Sequence, residues 1–150
     1  MHRRVYLAAV GSATAAGLAG CTSVLDSSSS GNGDDRFCHG DECDIGMSRM
    51  EFLPETYEVT VGETVVWKNT SAADHTVTAR EETLPEGAEY FASGGYEDEE
   101  TAIDAWHQSR GGRIGPRETY EHTFEVPGEY VYICEPHVHG GMVGTIVVTE

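Results

Sequence analysis

Three side chains able to bind a metal, each of a different kind, crowd one short segment near the end of this 150-residue chain. Cys134-Glu-Pro-His137-Val-His139-Gly-Gly-Met142 sets a thiol, an imidazole and a thioether at spacings of three and five. Tyr130-Val-Tyr-Ile leads into this segment and Val143-Gly-Thr-Ile-Val-Val leads out of it. Runs of branched and aromatic residues bounded by Gly and Pro read as β-strands. The segment is therefore a loop tied to a strand at each end, and a chain that carries it needs a β framework to hold it.

Soft sulfur donors beside imidazole suit copper. A trigonal set of two His and one Cys with a weak axial Met is the donor set of an electron-transfer copper site, and the thioether favours copper over zinc. The loop supplies Cys134, His137 and Met142, and one imidazole is missing. His75 is the best candidate. It follows the apolar run Thr64-Val-Val-Trp67 and the turn-rich Asn69-Thr-Ser-Ala-Ala-Asp, and a strand-like alternation begins at it. His139 is two residues from His137, so both rings cannot easily face one metal; His137 is preferred and His139 is placed at the rim.

The pattern His75 … Cys134-x-x-His137-x-x-x-x-Met142, with Gly141 and Gly144 flanking the Met, resembles the plastocyanin and halocyanin family of cupredoxins. Val61-Gly-Glu-Thr-Val-Val-Trp-Lys-Asn is similar to the family's second and third strands. Glu118 to Tyr130 is similar to the strand and turn before its copper loop. The resemblance runs from about Ile45 to Glu150. It implies an all-β, Greek-key sandwich, one type 1 copper ion on His75, Cys134, His137 and Met142, and electron exchange with protein partners of a respiratory chain. It also implies a small, apolar docking face around His137, here Pro136, Val138, Gly140 and Gly141 with Ala72 and Ala73. The chain departs from plastocyanins at Asp74 (Pro there), Thr76 (Asn) and Ile133 (Tyr). Thr76 is expected to bond across to the copper loop in place of the Asn, since groups that orient metal ligands vary in kind.

The strand candidates are Ile45–Phe52, Tyr57–Val61, Thr64–Lys68, His75–Arg80, Thr119–Val126, Glu129–Cys134 and Val143–Thr149, separated by Gly and Pro turns. Many short strands argue for a two-sheet sandwich. The alternation breaks between Arg80 and Glu118. Tyr96 to Gly112 predicts one short helix before the last three strands, with acids in its first turn, Arg110 in its last and glycines to stop it. Ile103 and Trp106 are expected to dock it.

The front of the chain is read as addressing rather than fold. Residues 1–20 form a targeting segment: Arg3-Arg4-Val-Tyr-Leu resembles a twin-arginine export signal, and its apolar stretch is shorter than a membrane span. Leu18-Ala-Gly-Cys21 resembles a lipobox, with Cys21 lipidated; an uncleaved helix is the alternative. Residues 21–36, with Ser27-Ser-Ser-Ser-Gly-Asn-Gly-Asp-Asp, read as a flexible tether, and 37–150 as the folded domain. This layout places the protein on the extracytoplasmic face of a membrane. Cys38 and Cys43 are then left over, and outside the cytosol a close pair is most often a disulfide. A second metal site with His39 is the alternative.

Net charge is −17, and processing after residue 20 removes two arginines and no acid, leaving seven basic against 26 acidic side chains. Nucleic acid would repel such a chain. The acids are spread out and Lys68 is the only lysine, which reads as solubility in high salt, or alternatively as a docking patch for a basic partner. His107 and His122 are expected to be ordinary surface residues. Three function classes follow: a monomeric one-electron carrier, a copper enzyme, and a copper-storage or copper-delivery protein. Oxidases and nitrite reductases need further His clusters and domains, and storage proteins favour Met- or His-rich tracts. The carrier, not an enzyme, is the reading the sequence favours.

Overall fold

A computed structural model describes residues 37–38 and 42–150. The expected export signal, Cys21 and the tether lie outside the described residues, as does His39 of the alternative metal site.

Among the described residues eight strands, one more than the seven expected, form the expected two sheets. Strands β1 (Ile45–Met47), β2 (Phe52–Leu53), β4 (Thr64–Asn69) and β6 (Thr119–Thr123) make one sheet in the order β2-β1-β4-β6. Strands β3 (Thr56–Thr60), β8 (Val143–Thr149), β7 (Gly128–Ile133) and β5 (Thr78–Ala79) make the other in the order β3-β8-β7-β5. The chain weaves between the sheets, so β1 lies parallel to β4 and β3 parallel to β8. Period-two burial explains the stacking. In β4, Val65, Trp67 and Asn69 point inward; in β8, Gly144, Ile146 and Val148 do. Trp67 is the hub of the core, with the rings of Tyr132 and Tyr120 at 5.4 and 5.6 Å and that of Phe91 at 6.1 Å. Cys134 and Met142 belong to the same apolar cluster, so the metal loop caps the core rather than lying on the surface.

Several strands are shorter than expected. Ile45–Phe52 is two strands, because the polar stretch from Ser48 turns back, with Ser48 N–H donating to Glu51 O at 2.9 Å, and β2 then pairs antiparallel with β1. His75–Arg80 shrinks to β5. Residues 75–77 face a returning loop instead of a strand: His75 exchanges a pair of backbone bonds with Ile114, and Val77 bonds to Ser93, with no ladder continuing between them. Thr119–Val126 stops at Thr123, where Phe124 N–H turns to Glu63 O.

The helix, α1, spans Glu99–Ser109. Asp98 caps it by accepting Thr101 N–H at 2.7 Å, and Glu99 ties its start to Arg80 at 2.6 Å. Its C-cap is Arg110 in the left-handed region (φ 58°), one residue before the glycines expected to stop it. Ala102 is the residue it buries; Ile103 and Trp106 are only half-buried, because the 11-residue helix lies on the sandwich by a narrow small-residue contact. His122 also departs from expectation. It is half-buried, stacked on Phe91 at 4.7 Å and edge-on to Phe124 at 4.9 Å, because its β6 position faces the aromatic cluster. Cys38 and Cys43 form a disulfide just before β1.

Candidate metal centre

The geometry of the loop follows from a few backbone bonds. Cys134 N–H donates to Met142 O at 3.1 Å and Met142 N–H to His137 O at 3.3 Å, which pinches the loop shut at the ends of β7 and β8. Between them Glu135–Gly140 winds as a 3-10 turn with Pro136 near its start, and Gly141 closes it with φ 87°. A left-handed residue is needed there, and glycine adopts it without steric cost.

Cys134 and His75 are fully buried and His137 is half-buried. Cys134 Sγ lies 3.4 Å from His75 Nδ1 and 3.3 Å from His137 Nδ1, and the two rings are 4.8 Å apart. One donor atom from each of the three falls within 4.8 Å of the others, close enough to share one ion. Met142 is also fully buried, directly after the turn. His139 is exposed at the rim, so the structure brings together His75, Cys134 and His137 and leaves His139 out.

His75 is held on every side. Its backbone exchanges two hydrogen bonds with Ile114 (3.1 and 2.7 Å). Its Nε2 meets Ser71 Oγ at 2.8 Å, which leaves Nδ1 facing the sulfur. Ser71 is anchored by Asn69, whose Oδ1 accepts both Ser71 N–H and Ser71 Oγ–H at 2.9 Å. The same buried amide donates to Ala73 O at 2.6 Å and Ile114 O at 2.9 Å. Sequence reasoning missed Asn69 and Ser71. Their turn-forming character was visible, but nothing in the sequence shows that an amide at a strand end would point back under the loop. Thr76 does what the sequence suggested: its Oγ1 accepts Glu135 N–H at 2.9 Å and stitches the two ligand-bearing segments together.

Burial holds the metal-free donors in their neutral forms. Burial pushes the Cys134 thiol up to about 11, against the pull of hydrogen bonds from Thr76 and His137. Burial also brings the His75 imidazole down to about 4, helped by the neighbouring His137 and opposed by Asp74. Neutral imidazoles are ready ligands. A thiolate in so dry a place needs a positive partner, and Thr76 N–H already points at the sulfur from 3.4 Å. The donor set, two imidazole nitrogens and a thiol with a thioether next in line, fits copper.

Comparison with known proteins agrees. The family described as copper binding proteins, plastocyanin/azurin family, matches residues 41–149. Plastocyanin of Pisum sativum is 34% identical over 99 residues, covering 66% of this chain and 52% of that protein. Plastocyanin of Vicia faba is 32% identical over 99 residues, covering 66% of this chain and 88% of the other. The chain thus spans about half the length of the Pisum sativum relative and most of the Vicia faba one. Among solved structures, a purple cupredoxin from Nitrosopumilus maritimus aligns with a TM-score of 0.45 at 23% identity, covering 65% of this chain and 81% of that one.

Proposed function

Because the chain belongs to the plastocyanin/azurin family of copper-binding proteins, we propose that it carries single electrons between partner proteins through one type 1 copper, held by His75, Cys134, His137 and Met142. The observation that carries this reading is the meeting of three donors at the dry end of a sandwich core. Copper bound there supplies a one-electron couple between Cu(II) and Cu(I). The chain supplies a frame that barely needs to move. Cys134 and Met142 are tied through their own backbones, His75 is bonded at both backbone groups and one ring nitrogen, and Thr76 joins the two segments. A frame fixed beforehand keeps the reorganisation between redox states small. His137 is the least buried of the three clustered donors, so its ring is the short way in for an electron.

The carrier is read as a monomer tethered to the extracytoplasmic face of a membrane through lipid on Cys21, exchanging electrons with respiratory-chain proteins. The support for this is in the sequence: Arg3-Arg4, Leu18-Ala-Gly-Cys21 and the Ser-rich stretch after it. Absorption of the copper-loaded protein tests the centre. An intense blue band, lost in Cys134→Ser, is expected from thiolate-to-copper charge transfer; a Cys134→Ser protein that stays blue refutes the assignment. Cell fractionation tests the anchor: Cys21→Ser should release a folded domain from membranes, and retention of that variant would argue for an uncleaved helix.

A further inference from the structure

In a chain of net charge −17, the few cations are not spread evenly. Six Lys and Arg side chains fall among the described residues, and five of them gather at the metal end. Arg49 sits in the turn between β1 and β2, and that turn packs on the ligand loop: Met50 occupies the space where a Cβ on Gly140 would go. Arg110 and Arg113 both grip Asp74, the residue before His75, at 2.6 and 2.8 Å. Lys68 and Arg117 line a groove together with Ser71 and Ala72 of the same loop. The sixth, Arg80, is paired with Glu99 at the start of α1.

Of the acids at this end, Asp74, Glu135 and Glu42 are engaged, Glu118 accepts the N–H of Gly115, and Glu51, beside Met50, is exposed. Asp74 is 17% exposed and shared by two guanidiniums that are 63% and 45% exposed. Glu135 is 12% exposed and bonded to His107. Lys68 is paired with Glu42. Two arginines on one carboxylate leave a surplus positive charge, and exposed Arg49 makes no ion pair among the described residues. Within this rim the surface is apolar or small, with Met50 38% exposed and Ala72 exposed beside half-buried Pro136 and Val138.

We propose that this arginine-rimmed end is the docking face, and that its occupant is a redox protein whose own docking face carries carboxylates around an apolar centre. The proposal rests on the one-electron carrier reading above. Opposite charge at the rim raises the encounter rate and fixes orientation. Arg is suited to this, because its fork binds carboxylate in two places and sheds water more easily than an ammonium does. The rest of the acidic surface repels the same partner, so only the metal end is presented to it. Acidity elsewhere and arginine here thus act together as an aiming device.

Two variants with the same net charge separate location from total charge. Arg49→Gln removes a positive charge at the rim. Val61→Glu adds a negative one on the exposed turn between β3 and β4, at the far end of β4 from Asn69. The copper-loaded, reduced proteins are oxidised in stopped flow by hexacyanoferrate(III), a trianion, and by tris-phenanthroline cobalt(III), a trication, with rates compared at equal driving force. A unit charge about 10 Å from a trivalent probe in water changes the rate about four- to five-fold at ~10 mM salt and fades near 1 M. Arg49→Gln should slow the anionic oxidant and speed the cationic one by that factor, while Val61→Glu changes neither. Equal rates in the two variants, or a faster anionic reaction in Arg49→Gln, overturn the proposal while leaving the metal centre intact. Absence of the blue band in the parent protein overturns the carrier reading and this face with it.

Discussion

Asn69 is where stability and the metal centre are most tightly joined, and Asn69→Ala should show it. The side chain is fully buried at the end of β4 and makes four hydrogen bonds, two donated to Ala73 O and Ile114 O and two accepted from Ser71. Each such bond contributes about 1 kcal/mol net. Ile114 O keeps the N–H of His75 and Ala73 O keeps a longer contact to Ser71, so neither carbonyl is wholly orphaned. The expected loss is therefore about 4 kcal/mol, without a further desolvation penalty. For a domain of this size that lowers Tm by about 15–20 °C. Ser71, freed from its anchor, no longer fixes Nε2 of His75, so copper affinity should fall as well. Asn69→Asp should be worse than Ala at neutral pH, because it places a carboxylate against two carbonyl oxygens. Thermal and urea unfolding of the metal-free protein, with copper titration, measure both effects. A loss under about 1 kcal/mol with unchanged copper affinity would refute the idea that this amide organises the site.

Two further outcomes are expected. Burial lowers the pKa of His75, His122 and His137 in the metal-free fold, with the Glu89 carboxylate opposing the shift at His122. Their unfolded value is about 6.5, so as pH falls through it the unfolded chain takes up protons that the folded domain refuses, and stability is lost below that pH. His122→Phe keeps the stack on Phe91 and should flatten the acid side of a stability–pH curve; an unchanged curve means the ring is not desolvated. Replacing Cys38 and Cys43 together by Ser should cost at most about 2–3 kcal/mol, because the loop they close is short. A larger loss by urea unfolding would show that the disulfide positions β1 rather than only closing a loop.

The donors were legible because chemistry limits which residues can serve, and because a Cys, a His and a Met between two strands have few other reasons to be so close. The long alternating strands were legible for the same kind of reason: Val65, Trp67, Ile146 and Val148 leave one choice of inward face. What surrounds the donors was not. Asn69, Ser71 and the two-arginine grip on Asp74 depend on side chains that meet across 36 or more residues of sequence, or fold back within a turn. Such contacts leave no period to read. The split of Ile45–Phe52 and the shrinking of His75–Arg80 have one cause. In each case the strand ends where its neighbour ends, and a single strand's pattern carries no record of its neighbour's length. His122 was misjudged because an imidazole on a strand alternates like any polar residue, whereas here it stacks on a ring brought in by the excursion between the sheets.

That excursion has its own logic. Ser93 Oγ–H donates to Gly112 O at 2.7 Å, and the backbones there come so close that any side chain at Gly112 would strike Ser93 O. The chain therefore leaves and re-enters the sandwich through a gap one hydrogen bond wide, with α1 in between. A segment with touching ends is modular in the builder's sense. Residues 94–111 can be shortened, lengthened or exchanged without asking the strands to shift, provided Ser93 and Gly112 still meet. Ile114, two residues beyond the join, remains bonded to His75 whatever is carried outside it. The fold thus has a port beside its metal centre where sequence can change over generations at small cost to the ligands, while the two side chains of the segment that reach the ligand loops, Arg110 on Asp74 and His107 on Glu135, are positioned to let such change tune the site.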